Sequence, residues 1–180
     1  ENCTKIILEA KGRIAVTSFS SNVGRIRTVM LAARDAGRSV IVMGRSMKRM
    51  LDVSGELGYM EGLPETLAEE DFASLPRQNC VVILTGSQGE SRAALAKLAN
   101  DEMRTIKFVP GDTVIFSSRT IPGNEKAILD IKNKLIDQGI EIISDDQQLV
   151  HVSGHPRRNE LKKMYSWVRP QILVPVHGEA

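Results

Sequence analysis

The chain has 180 residues, 42% of them apolar and only 4% aromatic, and a net charge of +2. That length suits one domain with a core of Ile, Leu, Val, Met and Ala. No apolar run approaches the roughly 20 residues that cross a bilayer, which excludes a membrane-spanning role.

No leader segment is visible, because Lys5, Lys11 and Arg13 interrupt the only apolar stretch near the start. Cys3 and Cys80 are the only cysteines and show no paired spacing, so a reducing cytoplasm is the expected compartment. Charge is unevenly spread. Six arginines and one lysine face a single acid, Asp35, between Arg25 and Arg49, and an acidic stretch without any base follows from Asp52 to Asp71. The first block reads either as a phosphate-attracting surface or as solvated helix faces.

Strand and helix patterns alternate along the chain. Arg13 to Ser18 reads as a strand. Asn22 to Ala36 reads as a helix with Val23, Ile26, Val29, Met30 and Ala33 on one face and Gly37 as its stop. Ser39 to Met43 is a short apolar strand, and Ser46 is the expected cap of a helix running to about Leu57. A polar connection from Gly62 to Pro76 has room for one short acidic helix. Cys80 to Leu84 is a continuous apolar strand of the kind covered on both faces. Gly86-Ser87-Gln88-Gly89-Glu90 then leads into an Ala/Leu helix ending near Ala99. Thr113 to Phe116 is a strand, and Asn124 begins a helix with Ile128, Ile131 and Leu135 inward that Gly139 ends. Strands are expected at Ile140 to Ile143, at Leu149 to Val152 and, last, at Ile172 to Val176. Between the last two lies a helix, Asn159 to Val168, which Pro170 prevents from continuing. Pro175 has no N–H to give a ladder, so the last strand is expected at a sheet edge. This order predicts an α/β fold, a mainly parallel doubly wound sheet with helices on both faces.

Chemistry is expected at the carboxyl ends of the strands. Three glycine-containing turns lie there: Gly86 to Gly89, Ser117 to Gly123, and Ser153-Gly154-His155. Their backbone N–H groups form anion sites or simply tight turns. Their convergence on one edge favours a phosphate-bearing ligand, with Ser87, Ser118, Ser153 and His155 directed there. His155 and His177 each follow an apolar run, whereas His151 lies inside one and reads as structural. Three scattered histidines supply at most a fragment of a metal site. The chain ends three residues after His177, as expected of a domain excised from its own active site.

Taken in order, Phe19-Ser-Ser-Asn22-Val-Gly-Arg25, Gly44-Arg45-Ser46-Met47, Thr85-Gly-Ser-Gln-Gly-Glu90, Gly111-Asp112-Thr-Val, Ile121-Pro-Gly-Asn-Glu125, Val150-His-Val-Ser-Gly-His155 and Pro175-Val-His-Gly-Glu179 resemble the β-CASP domain of the ribonuclease J family. The resemblance covers essentially the whole chain, residues 1–180, as a single β-CASP domain. It implies an insert in a metallo-β-lactamase domain of the same polypeptide, with RNA cut between the two at a two-zinc centre. It implies that His177 closes the metal site and that His155 stabilises the scissile phosphate. Ser118, Ser153 and Gly154 would hold a 5′-monophosphate, while Gly86, Ser87, Gln88, Asn22 and Arg25 would line the RNA path. The implied activity is 5′-to-3′ exonuclease, endonuclease or both, in the full-length protein. The chain alone is expected to hold no zinc and to be inactive even when metal is added, and a homo-oligomer is expected through parts outside it. The chain departs from the family at Gly24, at Ser91 and at Pro156-Arg157-Arg158. The residues by themselves also admit a non-catalytic nucleotide- or phosphate-binding module, or an interaction domain docking through an edge strand.

Overall fold

A run with no polar face is stable as a strand only where both faces are covered, and Cys80–Leu84 is buried at every position. The computed structural model describes residues 2–151 and 156–174. In chain order it contains α1 (Asn2–Glu9), β1 (Ile14–Thr17), α2 (Val23–Asp35), β2 (Ser39–Met43), α3 (Arg45–Glu56) and β3 (Thr66–Leu67). Two short 3₁₀ turns, Glu69–Ala73 and Arg77–Asn79, lead into β4 (Cys80–Leu84). Then come α4 (Ala94–Ala99), β5 (Thr113–Phe116), α5 (Glu125–Asp137), β6 (Glu141–Ser144) and α6 (Arg158–Val168).

The six strands order as β3-β2-β4-β1-β5-β6, and every pairing is parallel. Side chains alternate across a strand, and the core divides accordingly. Ile14, Val16, Val40, Val42, Val81 and Ile83 meet α1, α2 and Met47 of α3 on one face. Ala15, Ile41, Val82, Leu84, Val114 and Phe116 meet Phe72, α4 and α5 on the other. The α/β doubly wound sheet expected from the sequence is therefore present. No helix among the described residues is long and apolar enough to cross a membrane.

Several local expectations are corrected. α3 begins one residue before Ser46 and is capped by Gly44, without a side-chain bond. The connection after Gly62 holds the edge strand β3 in addition to its acidic 3₁₀ turn. α1 is an element beyond those expected, and Cys3, Ile6 and Ile7 are its buried stripe. The described part of the expected strand at Leu149 to Val152 is not a strand. Side chains and a tight turn take its backbone groups instead. The Ser117 hydroxyl donates to the Val150 carbonyl at 2.6 Å, the His151 N–H donates to Asp145 Oδ1 at 3.3 Å, and the Val150 N–H donates to the Gln148 carbonyl at 2.7 Å. Ile172 to Val174 likewise form no strand and are exposed, and the described sheet ends at β6. Residues 175–176 of that expected strand lie outside the described residues.

Both cysteines are free and buried. Burial pushes the Cys80 thiol up to about 11 from an ordinary 9.0. The neutral thiol is thus favoured by folding. Its contribution is complete below pH 9 and is lost as pH rises through about 11. Unfolding midpoints of the wild type should therefore fall faster between pH 9 and 11 than those of Cys80→Ala, and parallel curves would contradict this. In the folded protein at about pH 8, iodoacetamide should leave Cys80 unmodified.

A candidate phosphate cleft at the carboxyl edge of the sheet

The helices after β1 and β2 cover one face and those after β4 and β5 the other, so their connections gather along the carboxyl edge, where doubly wound sheets bind ligands. The connection after β4 is forced into a tight turn. Gly86 has φ +117°, and a Cβ there would stand 2.7 Å from Leu95 Cβ, so this position excludes a side chain. The turn leaves Ser87 and Gln88 buried at 2% and 6% exposure, and Ser118 beyond β5 at 7%.

Gln88 joins the two connections. Its Nε2 donates to the Arg119 carbonyl at 2.9 Å and, weakly, to Ser118 Oγ at 3.5 Å. Its Oε1 accepts from the Ile121 N–H at 2.9 Å and from Asn124 Nδ2 at 3.4 Å. Both ends of the amide are therefore occupied within the protein.

Ser87 and Ser118 line a cleft of about 530 Å³ with Phe116, Arg119, Thr120, Lys132, Asp145 and Asp146. Lys132 lies over the Phe116 ring at 5.1 Å and donates to Ser144 Oγ at 2.9 Å. Arg119 approaches Asp145 at 3.9 Å. A hydrogen bond with Ser144, followed by one with its own backbone, holds the Asp146 carboxyl below its ordinary value. The cleft thus mixes hydroxyl donors, two cations and several acids. Sequence reasoning missed Arg119 and Lys132 as lining residues. Lys132 lies two turns into α5, outside the quoted motifs, and the packing of α5 beside Phe116 of β5 brings it there.

Asn22 and Arg25 are placed elsewhere than in this cleft. Asn22 caps α2, with Oδ1 accepting from the Arg25 N–H at 3.0 Å. Neither Asn22 nor Arg25 lines the cleft that Ser87 and Ser118 share. His151 is half-buried and, contrary to expectation, is not within a strand. Its Nδ1, together with Thr17 Oγ1 and Ser18 Oγ at the end of β1, is buried without a hydrogen-bond partner among the described residues. Ser153, Gly154, His155 and His177 lie outside the described residues. Val150 and His151 are held at the carboxyl edge by Ser117 and Asp145. Among the described residues no group of three or more His, Cys, Asp or Glu could hold a metal ion.

Residues 11–135 match the family described as Ribonuclease J, beta-CASP domain. Residues 139–180 match the family described as Zn-dependent metallo-hydrolase RNA specificity domain. The chain is 66% identical over 180 residues to Ribonuclease J of Sinorhizobium meliloti, covering 100% of this chain and 32% of that protein. It is 39% identical to Ribonuclease J 1 of Streptococcus pyogenes serotype M3, covering 99% of this chain and 32% of that protein. Identity is also 39% to Ribonuclease J of a Synechocystis species, covering 99% and 28%. The chain thus spans about a third of the length of these curated relatives.

Proposed function

The chain belongs to the ribonuclease J β-CASP family, and from that premise we propose that it is the RNA-binding half of a zinc-dependent ribonuclease. On this reading it pairs with a metallo-β-lactamase domain of the same polypeptide and holds the 5′-phosphate and the scissile phosphate of RNA. The observation that supports it best is the cleft where Gln88 braces the β4 and β5 connections and sets Ser87 and Ser118 side by side at the carboxyl edge.

Ser118 Oγ accepts from Gln88, so its own proton remains available to a phosphate oxygen. Arg119 and Lys132 add positive charge to that cleft. Ser153, Gly154 and His155 are proposed to complete the phosphate contacts, with His155 stabilising charge at the scissile phosphate. Preorganised donors of this kind fix the 5′ end and so the register of cleavage. The described residues do not fit a zinc site by themselves. Zinc is proposed to be held mainly by the rest of the polypeptide, with His177 as the ligand added by this chain. Bound there, zinc supplies Lewis acidity to the reaction.

The purified chain should not hydrolyse 5′-monophosphorylated RNA, with or without added zinc or manganese, whereas the full-length polypeptide should. Turnover by the chain alone refutes the half-site. A full-length polypeptide that binds but never cleaves points instead to a non-catalytic phosphate-binding module. In the full-length protein, Ser118→Ala should reduce the preference for a 5′-phosphate over a 5′-hydroxyl end about tenfold, the scale of one hydrogen bond to a charged group.

A further inference from the structure

Part of the basic block between Arg25 and Arg49 lies at the other half of the same sheet edge. A second cleft, of about 620 Å³, opens at the carboxyl ends of β2 and β4 between the start of α3 and the β4–α4 connection. Its charged lining is Arg45, Lys48, Arg92 and Lys97 against Glu69 and Glu90. Lys48 is paired with Glu69 at 2.7 Å, and Glu90 accepts from the Gln88 N–H at 2.9 Å. Arg45, Arg92 and Lys97 are exposed and have no ion-pair partner among the described residues.

These three cations come from α3, the β4–α4 connection and α4, so no single helix periodicity accounts for their meeting. Gathered like charge is unfavourable until an anion arrives. The local placement is unfavourable too. The first turn of α3 carries Arg45 and Lys48 with no acid, the opposite of the charge that the amino end of a helix prefers. Gly44 lets the start of α3 lie close to Thr85 at the end of β4. Its φ is +100°, and a Cβ there would stand 2.7 Å from Thr85 Oγ1, which also lines the cleft.

We propose that this cleft is a second phosphate subsite, which takes a backbone phosphate of single-stranded RNA whose 5′ end lies in the Ser118 cleft. The inference rests on the reading of the Ser118 cleft given above. From the β2–β4 boundary to the β5–β6 boundary is three strand spacings, about 14 Å at the usual ~4.8 Å each. The terminal phosphate group of a substrate does not span that distance, but an oligonucleotide does.

The test uses the full-length polypeptide in EDTA, so that RNA is bound and not cut. Fluorescence anisotropy would compare 5′-monophosphorylated oligo(A) of two and of twelve nucleotides. Arg45→Gln combined with Arg92→Gln should weaken binding of the longer oligonucleotide about five- to tenfold. The slope of log affinity against log salt should fall by about 0.7 for each phosphate that is no longer neutralised. Binding of the shorter one should be unchanged. The pair Lys5→Gln and Lys11→Gln, which lines neither cleft, removes the same charge and should change neither. Loss of affinity equal in both double variants would reduce the effect to net charge and overturn the subsite, as would an unaltered affinity and salt slope for the longer oligonucleotide. Failure of the wild type to bind either oligonucleotide would overturn the reading of the Ser118 cleft together with this one.

Discussion

Asp112→Ala is expected to lower the thermal unfolding midpoint by about 10 °C, at about 2–4 °C for each kcal/mol in a domain of this size. Its carboxylate is fully buried and joins three segments at the amino edge of the sheet. Oδ1 accepts from the Arg13 N–H at 2.9 Å and from Arg77 Nε and Nη2 at 3.1 and 2.8 Å, and Oδ2 accepts from the Val109 N–H at 3.0 Å. Arg13, whose guanidinium also lies 4.5 Å from the Phe72 ring, approaches the same carboxylate at 3.9 Å. Removing the anion leaves two N–H donors and the well-buried Arg13 uncompensated, a change that costs about 3–5 kcal/mol in buried pairs. Asp112→Asn should lie in between, because its amide replaces one acceptor with a donor opposite Val109 N–H. Calorimetry of the three proteins measures this, and a shift below about 2 °C for alanine would contradict the argument. Asp112 is at the edge opposite the cleft, so RNA affinity measured well below the midpoint should not change.

Gln88→Leu should couple stability to binding. Leucine keeps most of the volume and removes every bond that ties the β4 connection to Arg119, Ile121 and Asn124. The Ile121 N–H and the Arg119 carbonyl are then left without this partner, at a cost of about 1–3 kcal/mol for each group that stays buried. The expected result is a drop of about 2–3 kcal/mol in denaturant unfolding, with faster amide exchange confined to residues 117–124. Affinity for 5′-monophosphorylated RNA should fall about tenfold or more as Ser118 loses its support. Gln88→Glu should also be destabilising, because a carboxylate oxygen would replace the donor to the Arg119 carbonyl. A direct RNA contact by Gln88 makes a different prediction: weaker binding with unchanged exchange and stability. The geometry favours the bracing role, because both ends of the amide already have protein partners.

Legibility in the sequence varies with the residue. β2, β4 and β5 fall where their composition places them, because unbroken apolar runs bounded by small or polar residues have one stable use in a doubly wound sheet. α2 is legible from its apolar face and from Gly37, which follows its end as expected. α1 is not, although its stripe of Cys3, Ile6 and Ile7 is present, because so short a stripe becomes a helix face only once α2 and the sheet lie against it. Leu149 to His151 has the composition of a strand. Hydrogen bonds from Ser117 and to Asp145, distant in sequence or across a turn, decide otherwise.

The sequence by itself determined the alternation of strand and helix, the parallel doubly wound architecture, the family, and the clustering of Ser87 and Ser118 at one edge, because these follow from local periodicity, from turn chemistry and from ordered motifs. Only the tertiary structure decided which polar side chains line a cleft and which hold the frame. Asn22 became a helix cap, Gln88 a brace and Asp112 a buried anchor, while Arg119, Lys132, Arg45 and Arg92 came to line clefts. A polar side chain's role is set by the partners that remain for it once the backbone has packed, and those partners lie up to about a hundred residues away along the chain, as Arg13 and Asp112 do.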